Sequence, residues 1–149
     1  MALFLSTYIN KIDKKGRVSV PASFRAALVG ESFQGIVTFR SYNQPSIEGC
    51  GISRMQKLSD RAENLDFFSD NQDDAAATIF ADSQQLIFDS EGRVFLPQQL
   101  IDHAGLIDHA AFVGRGATLQ IWNPDIFENI QAQRITNLQA AKKSPEEHA

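Results

Sequence analysis

Asp13-Lys14-Lys15-Gly16-Arg17-Val18-Ser19-Val20-Pro21 returns as Asp89-Ser90-Glu91-Gly92-Arg93-Val94-Phe95-Leu96-Pro97, which keeps Asp-x-x-Gly-Arg-Val-x-x-Pro without a gap at an offset of 76 positions (13 to 89). Self-similarity at fixed spacing marks a unit that cannot bury its apolar face alone and packs on its copy. The correspondence runs past the signature: at the same offset Ile12 answers to Phe88, Phe24 to Leu100, Ile36 to Phe112 and Val37 to Val113. One copy is therefore half a core.

The local physics is the same around both signatures. Short strands are expected at residues 8–12 and 85–88, then a tight turn carrying the glycine, second strands at 17–20 and 93–96, and helices at 21–28 and 97–104. Gly16 and Gly92 suit a turn position with positive φ, where a Cβ would clash. Asp13 and Asp89 can close that turn by accepting backbone N–H bonds from residues just ahead of them. Pro21 and Pro97 fit the first helical position, whose N–H has no partner inside the helix. Phe24 with Leu28, and Leu100 with Ala104, share a helix face at i, i+4 spacing. Gly30 and Gly105 read as C-terminal stops.

The 149 residues are 43% hydrophobic and 21% charged, the composition of an ordinary folded protein with room for one core or two fused small ones. No apolar run approaches the roughly 20 residues that span a bilayer. Met1-Ala2-Leu3-Phe4-Leu5 lacks a basic n-region and a long h-region, so the expected location is cytoplasmic, without a membrane. Cys50 is the only cysteine, which excludes an internal disulfide and a multi-thiolate metal site and points to a reducing compartment.

The net charge of −4 conceals a polarised chain. In the first thirty residues Lys11, Lys14, Lys15, Arg17 and Arg25 stand against Asp13, a balance of +4, whereas residues 60–91 hold nine acids against Arg61 alone, a balance of −8. Such polarity lets one end approach a polyanion while the other keeps the particle soluble. Between the copies Met55, Leu58, Ala62 and Leu65 recur at 3/4 spacing and predict a helix over 53–65, with a second expected over 73–81. After Trp122, Asn123-Pro124-Asp125 reads as N-cap, first helical position and dipole-favoured acid. The helix it opens carries Ile126, Phe127, Ile130, Ile135 and Leu138 on an apolar stripe, with a frayed tail at 142–149.

Two Asp-x-x-Gly-Arg-Val-x-x-Pro units in about 150 residues, the first followed by Ala22-Ser23-Phe24-Arg25 and the second by Phe112-Val113-Gly114-Arg115-Gly116 and Gln120-Ile121-Trp122, resemble the MraZ family of bacterial transcriptional regulators. The resemblance covers the chain from Phe4 to about Phe127. It implies a mainly β fold with α, in which two tandem AbrB-like swapped-hairpin units interlock into one pseudo-two-fold barrel with flanking and C-terminal helices. The units would span 4–53 and 82–125, joined by a helical, acidic connector at 54–81 and followed by a C-terminal helix and tail at 126–149. It further implies a cytoplasmic, nucleoid-associated, DNA-binding homo-oligomer, a ring, that controls the division and cell-wall gene cluster and its own promoter. Two departures stand out. Residues 41–51 form a longer loop than the second half has, and Glu91 stands where the first signature has Lys15.

A two-stranded ribbon fits the major groove, and an arginine near its tip can fork onto guanine O6 and N7 or clamp a phosphate. Arg17 is thus expected to make the principal contact. Lys14 and Lys15 would support it by displacing counterions, with Arg93 as pseudo-symmetric partner and Lys11 and Arg25 at the periphery. Equally open, Arg17 and Arg93 could pair with Asp13 and Asp89 simply to hold the turns. The alternatives in other classes are an AbrB-like interaction module or antitoxin without promoter reading, and a small hydrolase using Cys50 or a histidine. The last lacks a base-orienting constellation. His103, His109 and His148 make no metal-ligand pattern, and no cofactor, catalytic residue or metal is expected. Gly114-Arg115-Gly116 reads as a hairpin turn before a strand at 119–122, and Trp122 as core or subunit interface.

Overall fold

Each copy of the signature lends its strands to the other. The computed structural model describes residues 2–63 and 70–143. The chain order is β1 (Thr7–Lys11), β2 (Arg17–Ser19), α1 (Ala22–Ala27), β3 (Gly35–Arg40), β4 (Ile47–Cys50), α2 (Ile52–Glu63) and α3 (Asp70–Asp82), then β5 (Gln84–Ile87), β6 (Arg93–Phe95), α4 (Gln98–Ala104), β7 (His109–Gly114), β8 (Leu119–Trp122) and α5 (Pro124–Lys143). β1 of the first copy pairs antiparallel with β7 of the second, and β5 of the second with β3 of the first. The central pair, β4 with β8, also joins the copies. The result is a six-stranded antiparallel sheet in the order β1-β7-β8-β4-β3-β5, and a separate two-stranded ribbon of β2 with β6.

The registers obey a two-fold relation within the chain. In the ribbon Val18 stands opposite Val94, with Arg17 opposite Phe95 and Ser19 opposite Arg93; in the sheet Glu48 stands opposite Gln120. The ribbon ends are also exchanged: Val20 N–H donates to Gly92 O at 3.1 Å and Leu96 N–H to Gly16 O at 2.8 Å. The expected closed barrel is not formed by these ladders. β1 and β5 end the sheet at opposite edges, and the ribbon is a sheet of its own, because strands of three residues are too short to bridge both edges.

Strand alternation builds two buried layers. Ile36, Ile47, Leu86, Ala110, Phe112, Leu119 and Ile121 face Val18, Val20, Val94 and Leu96 of the ribbon, and Phe24, Leu28, Leu100 and Ala104 of α1 and α4. The opposite face is covered twice: Val37 and Cys50 pack on Met55 of α2, and Ala111, Val113 and Trp122 pack on Phe127 of α5. α2 follows β4 as α5 follows β8, so the predicted connector helix occupies the position equivalent to the C-terminal helix. Burying apolar side chains on both faces of one sheet is the main stabilising contribution, about 25 cal/mol per Å² removed from water.

Most predicted elements form within two residues of their expected ends. Leu65 and residues 144–149 lie outside the described residues, and α5 is helical through Lys143. Pro21 and Pro97 are N-caps rather than first helical residues, with ψ of 139° and 147°, because the chain reaches them from a strand and stays extended for one residue more. Gly105 ends α4 as expected, and does so in left-handed geometry at φ 62°. Gly30 does not end α1. That helix stops at Leu28 in right-handed geometry, and Gln34 Nε2 donates to the carbonyls of Leu28, Val29 and Glu31 at 3.1, 3.1 and 2.8 Å.

Two further corrections concern spacing. The β1·β7 and β3·β5 registers make Gly35 equivalent to His109, an offset of 74, so Ile36 corresponds to Ala110 and not to Phe112. A shift of two residues returns a strand to the same face, which is why the uniform offset still matched apolar with apolar. Residues 41–51 are not one long loop, since 47–50 form β4.

Candidate nucleic-acid interface

Both turns fold on their aspartates. Asp13 Oδ1 accepts from Lys15 N–H and Arg17 N–H, each at 2.9 Å, and Asp89 Oδ1 accepts from Glu91 N–H and Arg93 N–H, each at 2.9 Å. Gly16 and Gly92 turn the chain at φ 88° and 76°. The backbone N–H donated by Arg17 holds the Asp13 carboxyl below the usual carboxylate range against the opposing effect of burial, with the Arg17 side chain and the Lys15 N–H adding to it. Arg93 N–H does the same for Asp89.

The second aspartate oxygen in each turn orients the arginine. Arg17 Nε donates to Asp13 Oδ2 at 2.7 Å and Arg93 Nε to Asp89 Oδ2 at 2.8 Å. The turn-holding role weighed from the sequence is thus real for both arginines, and it uses Nε. The copies then differ. Glu91 Oε2 lies 3.3 Å from Arg93 Nη1, and the Arg93 guanidinium is pushed above its ordinary value by the Asp89 hydrogen bond first, with Glu91 contributing. Among the described residues Asp13 is the one carboxylate paired with Arg17.

Lys11, Lys14 and Lys15 are exposed around the first turn, so the structure brings them together with Arg17 at one tip of the molecule. Arg25 is turned elsewhere: Nε donates to Val20 O at 3.0 Å, and its guanidinium lies over Gly92, where an added Cβ would stand 2.7 Å from it. It braces the second turn from the first copy's helix. Alternation along the ribbon buries Val18 and Val94 and leaves Arg17, Ser19, Arg93 and Phe95 on the outer face. Phe95 was not singled out from the sequence, although Val94 and Leu96 on either side, both suited to the core, put it outward.

The remaining candidates are structural. Burial pushes the Cys50 thiol up to about 11. His103 Nε2 lies 3.2 Å from Gln44 O. Among the described residues no group of three His, Cys, Asp or Glu side chains could hold a metal ion, and no helix is long and apolar enough to cross a membrane. Trp122 is fully buried, its Nε1 donating to Gln120 Oε1 at 2.9 Å, and Gln120 Nε2 donates to Glu48 Oε1 at 2.8 Å. Burial raises the Glu48 carboxyl above its ordinary value, against the Gln120 hydrogen bond. Glu48 edges a cavity of about 210 Å³ beneath α2, with Phe39, Cys50, Met55 and Ile79.

Fold and surface together define a strand-exchanged, internally duplicated hairpin protein with one strongly basic tip. A family model described as "MraZ protein, putative antitoxin-like" matches residues 3–47 and 79–145. The protein named Transcriptional regulator MraZ of Rickettsia canadensis is 48% identical over 137 residues, 91% of this chain and 92% of its own. That of Rickettsia felis is 47% identical over 139 residues, 92% and 93% of the two chains, and that of Pelagibacter ubique 46% identical over 148 residues, 98% and 96%. The chain belongs to the MraZ family.

Proposed function

We propose that this protein is a sequence-specific transcriptional regulator that binds double-stranded DNA through the outer face and first turn of the β2–β6 ribbon. One observation carries the reading: Arg17 is fixed by a single carboxylate through Nε, which leaves the Nη edge of its fork for guanine O6 and N7 or a phosphate. Lys11, Lys14 and Lys15 surround it in solvent and supply counterion release. Arg93 is the pseudo-symmetric contact, weakened by Glu91, and Arg25 acts at the periphery by bracing the second turn. The names of the relatives, transcriptional regulators, support regulation as the biological output.

In this reading the units 4–53 and 82–125 make one swapped-hairpin, pseudo-two-fold body, the single-chain counterpart of an AbrB-like barrel, with 54–81 as the connector and 126–149 as the C-terminal helix. The protein works in the cytoplasm on the nucleoid, at its own promoter and the division and cell-wall gene cluster. A homo-oligomeric ring offers several tips to repeated promoter boxes, and linked weak sites gain effective concentration. Ile135 and Leu138 of α5, 48% and 71% exposed, suit the contact between subunits. They would equally serve the second reading, an antitoxin-like interaction module, which the family description favours.

The test is a gel shift on the DNA immediately upstream of the protein's own coding sequence. Arg17→Ala should abolish the shift with circular dichroism and particle mass unchanged, and wild-type affinity should fall steeply with salt. Unchanged affinity in the variant removes the reading, and wild-type affinity that ignores salt favours the interaction module.

A further inference from the structure

We infer that Phe95 is a specificity-determining residue that reads the 5-methyl group of a thymine in the major groove, and that it gives the pseudo-symmetric ribbon a direction on DNA. The inference rests on the DNA-binding reading above. β6 spends its inward position on Val94, 1% exposed, while Phe95 is 59% exposed. An exposed phenyl ring on a short strand gains nothing for the core. Opposite it on β2 stands Arg17, the residue with the open fork, and paired side chains on one face of an antiparallel ribbon sit about 5 Å apart at Cβ. The ring also reaches the first turn, its edge 3.6 Å from where a Cβ on Gly16 would be. It is therefore held beside the basic tip. It also borders the groove that Lys11, Lys14 and Lys15 line.

The chemistry fits one kind of target. Among base edges in the major groove, thymine alone presents a methyl group, and phenylalanine is one of the side chains that contact it. An arginine fork and a phenyl ring side by side read a guanine next to a thymine. The pseudo-equivalent place on the other strand holds Ser19, beside Arg93, and a short hydroxyl cannot make the same contact. The two ends of the ribbon thus read different base pairs.

The experiment uses duplexes carrying the wild-type footprint from the DNA upstream of the gene, with each thymine replaced singly by deoxyuridine, which removes only the methyl. Wild type should lose about fourfold in affinity at one thymine beside the Arg17 contact, the worth of one buried methyl-sized group. Phe95→Ser should lose about the same on unmodified DNA and become indifferent to that replacement. The proposal is overturned if wild type binds but ignores every replacement, if the variant still senses the methyl, or if Phe95→Ser changes particle mass in light scattering, which would make the ring a subunit contact. A wild type that shifts no DNA at all removes the DNA reading itself, an outcome distinct from binding without methyl sensitivity.

Discussion

Arg17 and Arg93 occupy equivalent places on the two strands of the ribbon, yet Arg93 meets two carboxylates, Asp89 at 2.8 Å and Glu91 at 3.3 Å, where Arg17 meets one. The frame is duplicated and the charge on it is not. An anionic partner approaching both tips finds Arg17 beside the exposed Lys14 and Lys15 at one, and an arginine outnumbered by two carboxylates at the other.

Glu91→Lys should therefore convert the second tip into a likeness of the first. It removes the Nη1 partner of Arg93 and adds a cation where Lys15 has its counterpart. DNA affinity should rise, and the slope of log K against log salt should steepen by about one unit for each phosphate newly neutralised. Filter binding over a salt series measures both; an unchanged slope places the second tip away from DNA.

Acid should loosen both turns together. Asp13 and Asp89 ionise at lower pH in the folded chain than their ordinary value of 3.8, so they stabilise the fold fully above that value, and the contribution is lost as pH falls through their folded values. A double Asp13→Asn, Asp89→Asn variant should melt lower than wild type at pH 7, with the gap closing as pH falls below 3.8. Calorimetry across that range is the check.

Gly92→Ala should destabilise more than its place in a turn suggests, because Gly92 is buried. At φ 76° an L side chain costs about 1–2 kcal/mol, and the new methyl also displaces the Arg25 guanidinium lying over it. Urea unfolding should lose at least that much. An Arg25→Ala background should recover part of the loss, since the steric term is then gone.

Cys50 should resist thiol reagents in the native state. Its thiol is buried and pushed up to about 11, and the thiolate is the reactive form. Disulfide-exchange labelling at pH 8 should be slow in buffer and fast in denaturant; rapid labelling of folded protein would falsify the packing described beneath α2.

The duplicated signature, the aspartate-closed turns, the buried faces of α1 and α4, the Asn123 cap and the basic first tip were legible in the chain because each is local. Asp13 needs only residues two and four positions ahead. Asn123 Oδ1 accepts from Asp125 and Ile126 N–H at 2.9 and 3.2 Å. Features fixed between distant segments were not legible. Arg25 gave no sign that it would lie on Gly92. The acidic segment read as a connector because nothing local ties α2 to the sheet.

What the amino-acid order determined by itself, then, is a repeated hairpin with an asymmetric set of charges, since turn chemistry and alternation act over a few residues. Tertiary structure alone decided which strand pairs with which, and so which side chains meet. β1 joins β7 and β5 joins β3 because each hairpin leaves an apolar face and free backbone groups that only the other copy can cover. That exchange sets Phe95 beside Arg17, two residues separated by about half the chain and brought together by a two-fold relation that no short stretch of sequence encodes.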